Sequence, residues 1–146
     1  MTELLAALHQ SERIELSLPP TVDLVVLARF TAATIATRAR FDVDEIEDLR
    51  LAVDELCVSN GPIDLYRNLR LEFRRADNLI RISCRFEPIG SPPSRNGSHP
   101  TNGVTHSLGN ELSLQLLDAL VDDHGRDEID GRPCSWLEKR GSVKHS

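Results

Sequence analysis

Glu55 is the residue whose type and setting could do chemistry. It sits in the run Leu49-Arg50-Leu51-Ala52-Val53-Asp54-Glu55-Leu56-Cys57-Val58-Ser59-Asn60-Gly61-Pro62. Ile46, Leu49, Val53, Leu56 and Cys57 recur at helical spacing and form one apolar face. Glu55 lies off the centre of that stripe, and Ser59, four residues on, shares its side. Gly61-Pro62 then stops the helix, because proline cannot continue it and glycine takes the left-handed cap conformation readily. A carboxylate at the margin of an apolar face can hold a proton, whereas one on a solvated helix surface is an ordinary glutamate. The spacing alone leaves both open. The other chemistry-bearing residues show less pattern. Cys57, Cys84 and Cys134 form no close pair in sequence and no metal-like spacing, and His106, His124 and His145 have no ligand spacing.

The elements that must position Glu55 follow from periodicity. Arg13 to Leu18 alternates polar and apolar, which predicts a half-buried strand. Pro19-Pro20 breaks it, and Val22 to about Arg40 carries a helical stripe of Val22, Val25, Val26, Phe30, Ala33 and Ala36. Asp42 is placed as the N-cap of the Glu55 helix, with Glu45 three residues later completing a capping box. Leu69 to Arg74 and Leu79 to Phe86 alternate around the turn Ala76-Asp77-Asn78, a hairpin with Ile80, Ile82, Cys84 and Phe86 on one face. From Glu87 to Ser107 glycine, proline, serine and asparagine dominate, which reads as a long mobile loop. Leu108 to Asp122 is helical again. Asp130-Gly131 is a hairpin turn before a last strand, Pro133 to Arg140, and the tail after Gly141 is expected to be loose. This order predicts an α+β fold, a two-layer sandwich of a mostly antiparallel sheet with helices on one face.

Composition bounds the rest. The 146 residues fit a single domain, 1–146, with its core at about 13–140. With 40% hydrophobic and 27% charged residues the chain reads as globular, and no apolar run approaches a membrane span. A net charge of −6 argues against a dedicated nucleic-acid binder and suits a partner with a basic surface. Cysteines inside apolar segments, and no basic leader before an apolar core, point to a reduced, cytoplasmic protein.

The sequence resembles a known family. Its element order is similar to the GHKL (histidine-kinase-like, Bergerat) ATPase fold, and more narrowly to the anti-sigma factor serine kinases of the sigma-B and sporulation-sigma antagonist type. Asp48 to Cys57 is similar to the family's Leu-Ala-Val-x-Glu-x-x-x-Asn helix, and Gly109 to Asp122 resembles its Gly-x-Gly-Leu helix. The closing Asp130-Gly131 hairpin and the strand to Arg140 also correspond, so the likeness spans about Arg13 to Arg140.

The resemblance implies ATP and Mg²⁺ as cofactors, with Glu55 as the general base that takes the proton of an attacking serine hydroxyl. The family's asparagine, a Mg²⁺ ligand, falls at Ser59, and Asn60 is one step later, about 140° round the helix from Glu55. The adenine-reading Asp-x-Gly-x-Gly corresponds to Glu87-Pro88-Ile89-Gly90-Ser91, with Glu87 in the place of the aspartate and Gly90 nearby. The phosphate-facing helix start keeps Gly109, followed by Asn110, and has Glu111 where the second glycine stands. The nucleotide-binding candidates are therefore Ser59, Asn60, Glu87, Gly90, Gly109 and Asn110.

The main functional expectation is an anti-sigma regulator that binds and inhibits an RNA polymerase sigma factor in a partner-switching pathway, with a weakened nucleotide site. Release would come from an anti-anti-sigma (STAS-type) partner. The family is commonly dimeric, which implies a homodimer. Two alternatives stand beside it: an active ATP-dependent serine/threonine kinase that phosphorylates the anti-anti-sigma factor, and a partner-switching adaptor that binds no sigma factor.

Overall fold

The computed structural model describes residues 11–58, 67–88, 103–129 and 131–142. The elements run β1 (Ser11–Leu18), α1 (Val22–Arg38), α2 (Val43–Val58), β2 (Arg67–Ala76), β3 (Leu79–Pro88), α3 (Gly103–Leu120), β4 (Asp123–Ile129) and β5 (Arg132–Arg140). The five strands form one sheet in the order β1-β2-β3-β5-β4, and every neighbouring pair is antiparallel. The expected α+β sandwich is the observed architecture.

Strand alternation sorts the sheet into two faces. Leu69, Leu71, Phe73, Ile80, Ile82, Cys84 and Leu137 are buried on the inner face. They meet Ala28, Ala32, Ile35 and Ala36 of α1, Leu49, Ala52, Val53, Leu56 and Cys57 of α2, and Leu117 of α3. The buried face of α1 is not the stripe expected from sequence: of that stripe only Ala36 is in the buried core and Phe30 is 58% exposed, while Ala28, Ala32 and Ile35 carry the contact and the alanines let the helix approach its neighbour closely. Arg29 of α1 reaches Asp54 of α2 with Nε 3.1 Å from Oδ1.

The two longer-buried helices are set by specific termini. At the end of α1 the Phe41 N–H donates to the Ala36 carbonyl and the Arg40 N–H to that of Thr37, a Schellman arrangement with Arg40 left-handed at φ 65°. Phe41 then packs into the core. The start of α2 is the capping box read from sequence: the Glu45 N–H donates to Asp42 Oδ1, and the Asp42 N–H donates to Glu45 Oε1, both at 2.8 Å.

Three boundaries differ from the sequence expectation. Both ends of the stretch expected to be irregular, 87–107, are regular: β3 continues to Pro88 and α3 begins at Gly103. Strand β4 starts at Asp123, directly after α3, where alternation is hidden by a nearly all-polar run. Gly141 and Ser142, expected to open a loose tail, are tied down. The Gly141 N–H donates to the Asn78 carbonyl, and the Ser142 N–H donates to Glu45 Oε2 at 2.6 Å.

Candidate functional site

Glu55 projects from α2 beside, not into, the buried stripe, and its neighbour along the chain, Asp54, faces α1. The two adjacent carboxylates thus serve different helices. Burial pushes the Asp54 carboxyl above its ordinary value; Arg29 opposes that shift and the Glu55 charge adds to it. Glu55 turns towards α3. There the Ser113 hydroxyl donates to Glu55 Oε2 at 2.8 Å, and Ser113 is only 3% exposed. A buried hydroxyl on a half-buried carboxylate is a satisfied polar pair at the seam between two helices. It also holds the carboxylate in one orientation.

Sequence reasoning did not find Ser113. Its signal was available: in Leu112-Ser113-Leu114-Gln115-Leu116-Leu117 the serine lies four residues before the buried Leu117, on the same helix face. The neighbouring Leu112, Leu114 and Leu116 are exposed.

The other candidates are placed as follows. Ser59, Asn60 and Gly90 lie outside the described residues. Gly109 and Asn110 fall within the helical backbone of α3, six and seven residues after its first residue, Gly103. The expected helix start at Leu108 is therefore corrected, and with it the placing of Glu111 in the first turn, which contains no acidic residue. Interior helix N–H groups are committed to the i−4 ladder, so Gly109 is not a terminal donor.

Glu87 is not brought to Glu55. It alternates with the inner-facing Phe86 and so lies on the outer face of the sheet. Its carboxylate pairs there with Arg85 at 3.1 Å and Arg70 at 3.4 Å. Among the described residues no three histidine, cysteine, aspartate or glutamate side chains converge on a metal position. The described surroundings of Glu55 present a carboxylate that accepts a hydrogen bond from a serine hydroxyl.

The outer face has its own order. Arg13 bridges Glu15 and Glu72, Arg70 bridges Glu15 and Glu87, and Arg81 pairs with Glu138. The Arg81 guanidinium also lies 4.3 Å from the Trp136 ring centroid. Gly125, opposite Trp136 across the β4–β5 ladder, makes room for that ring; a Cβ there would stand 2.7 Å from Trp136 Cζ2. At α3's C-terminus, Lys139 Nζ donates to the Leu120 carbonyl at 2.8 Å, and the Arg140 N–H donates to Asp122 Oδ2 at 2.6 Å. No described helix is long and apolar enough to cross a membrane.

No family model matches the chain. Individual proteins do. The serine-protein kinase RsbW of Bacillus cereus strain B4264 is 31% identical over 129 residues, covering 80% of this chain and 78% of its own length. The serine-protein kinase RsbW of Bacillus mycoides strain KBAB4 has the same identity and coverage. That of Bacillus anthracis is 32% identical over 130 residues with equal coverage. With identity and coverage of that extent, the chain belongs to the family of the serine-protein kinase RsbW, the anti-sigma factor kinases whose motifs its α2 and α3 resemble.

Proposed function

We propose that this protein is an anti-sigma regulator, which binds an RNA polymerase sigma factor and holds it inactive until an anti-anti-sigma partner displaces it. Its family membership supports that reading. Within it, Glu55 is the proton-accepting group for a serine hydroxyl of the anti-anti-sigma partner. The observation that carries this role is the Ser113 hydroxyl seated on Glu55 Oε2 at 2.8 Å. A serine O–H donating to the same carboxylate oxygen is the geometry a general base needs.

ATP, when bound, would supply the phosphoryl group. The chain's own part is narrower. The α2–α3 seam fixes the carboxylate, the apolar residues beneath it limit water, and the incoming hydroxyl must take the hydrogen bond that Ser113 now makes. Ser59, Asn60 and Gly90 are the residues proposed to face the nucleotide; Gly109, whose N–H is committed within α3, is not among its phosphate donors. Glu87 is held by two arginines on the far face, so it is not proposed for that role.

Two measurements test the reading. Pull-down of the purified chain against the sigma factors of its source organism should capture one of them; failure with all would favour an adaptor that binds other signalling domains. Transfer of labelled γ-phosphate to a candidate anti-anti-sigma protein should fall by about 10²-fold or more in Glu55→Gln. Undiminished transfer would remove Glu55 from the role. Binding of sigma factor without any transfer by the native chain would leave a regulator that has lost the kinase step.

A further inference from the structure

Cys57 and Cys84 were unremarkable in sequence, 27 residues apart in different elements. The fold brings their sulfurs to 3.9 Å. Cys57 is in the last turn of α2, two residues beyond Glu55 and next to the helix's final residue, Val58. Cys84 stands on the inner face of β3, opposite Leu71 and Ser135 on its two neighbouring strands. Cys57 is 9% exposed and Cys84 is fully buried. Neither is in a disulfide.

We propose that Cys57 and Cys84 are a modification site: a dithiol that hydrogen peroxide converts to an intramolecular disulfide, fastening the end of α2 to the middle of the sheet. A disulfide needs its sulfurs at about 2.05 Å, so closure requires roughly 2 Å of approach. Side-chain rotation and a small shift of a helix terminus supply motion of that size. No third ligand among the described residues converges with the pair, which sets a metal site aside.

The chemistry balances with peroxide as the oxidant. The Cys57 sulfur, the more accessible of the two, attacks one peroxide oxygen as its thiolate. The O–O bond breaks, and the departing hydroxide takes up the thiol's proton as water, leaving a sulfenic acid on Cys57. The Cys84 sulfur then attacks that sulfur. The S–O bond breaks, the S–S bond forms, and a second water leaves with the Cys84 proton. Two thiols and one peroxide give one disulfide and two waters.

Cys134 is the internal control. It lies beside Arg85 in register, on the outer face, and so is separated from the pair by the sheet itself. Burial pushes its thiol up, away from the reactive thiolate.

The test treats the full reduced chain with peroxide, quenches it, and counts thiols after denaturation. The native chain should fall from three thiols to one, lose about 2 Da, and yield a peptide pair linked through Cys57 and Cys84 that thiol reductant separates. Cys134→Ser should lose both of its thiols in the same way. Cys57→Ser and Cys84→Ser should form no intramolecular link; if either fails to fold, the peptide map of the native chain decides alone. The oxidised chain should melt higher by roughly 5 °C, because the bond closes a loop within native geometry. Three surviving thiols, a link that includes Cys134, a link between two chains, added oxygen at Cys57 without a bond, or an oxidised form that melts no higher would each overturn the proposal.

Discussion

The two faces of the sheet use neighbouring residues of the same strands in opposite ways. Between Leu69 and Phe73, the odd-numbered residues are buried under helices, while Arg70 and Glu72 join a lattice of ion pairs in solvent. The inner face draws its stability from apolar area removed from water. On the outer face of β1 and β2 charges alternate in sign along each strand and pair diagonally across the ladder, each pair worth little alone because water and salt screen it. The two glutamates that the motifs single out fall on different sides of this division. Glu55 borders the dry side with one serine hydroxyl on its Oε2, and Glu87 lies on the wet side between two arginines. The Glu87 carboxylate is occupied by two guanidinium groups. The Glu55 carboxylate has a single neutral hydroxyl partner, one that an incoming hydroxyl could replace.

The contrast can be broken or sharpened by substitution. Phe73→Ala, in the middle of the inner face and fully buried, should lower unfolding free energy by about 3–5 kcal/mol, read from urea midpoints at unchanged m-value. A loss below about 1 kcal/mol would mean that the inner face is not the main source of stability. Gly125→Ala tests whether any outer-face position is packed as tightly. Its new methyl would stand 2.7 Å from the Trp136 ring, so about 1–3 kcal/mol should be lost. Emission from the single tryptophan should shift as the ring leaves Arg81.

A pH test comes next in size. The hydrogen bond from Arg75, and a second from Arg38, hold the Glu12 carboxyl below its ordinary 4.5. Its folded value is depressed, so its contribution is present above about pH 4.5 and is lost as pH falls through the lower folded value. Asp54 has the reverse sign. Its folded value is raised above the ordinary 3.8, so its contribution is present below that and disappears as pH rises through the raised value. Glu12→Gln should therefore flatten the acid-side loss below about pH 4.5, and Asp54→Asn should steepen the loss as pH falls towards about 3.8, both read in denaturant midpoints. The smallest effect belongs to Arg13→Ala. More than half exposed, it should change stability by less than about 1 kcal/mol, and the difference should vanish near 1 M salt. A larger, salt-insensitive loss would show that the outer lattice is structural.

These contrasts also explain what could be read before the fold was known. Alternation in Leu69–Phe73 and Ile80–Phe86 specified both the hairpin and its buried face, since a period of two has only two solutions. The Asp42–Glu45 box was legible because both partners are local. The same alternation places Glu87 opposite to Phe86, so its outer location was already implied; the family motif outweighed it. The stop of α1 was legible to within two residues, at about Arg40 against Arg38, but its left-handed cap was not, because Arg40 stands where glycine would have been the usual sign. The buried side of Ser113 was readable from its spacing to Leu117, but its meeting with Glu55, like that of Cys57 with Cys84, was not, for a different reason. These meetings join residues 58 and 27 positions apart, and no local pattern encodes them.

The strand order carries a kinetic consequence. β2 and β3 are joined by the two-residue turn Asp77-Asn78, with Asp77 left-handed at φ 60°, so this ladder closes over the shortest possible loop. β1 meets β2 only after both α1 and α2 have been spanned, with Leu18 opposite Leu69. Closing that ladder meets the larger chain-entropy barrier, and contacts that distant slow folding. The two hairpins, β2–β3 and β4–β5, are each closed by a two-residue turn, so the N-terminal edge strand is expected to pair after them.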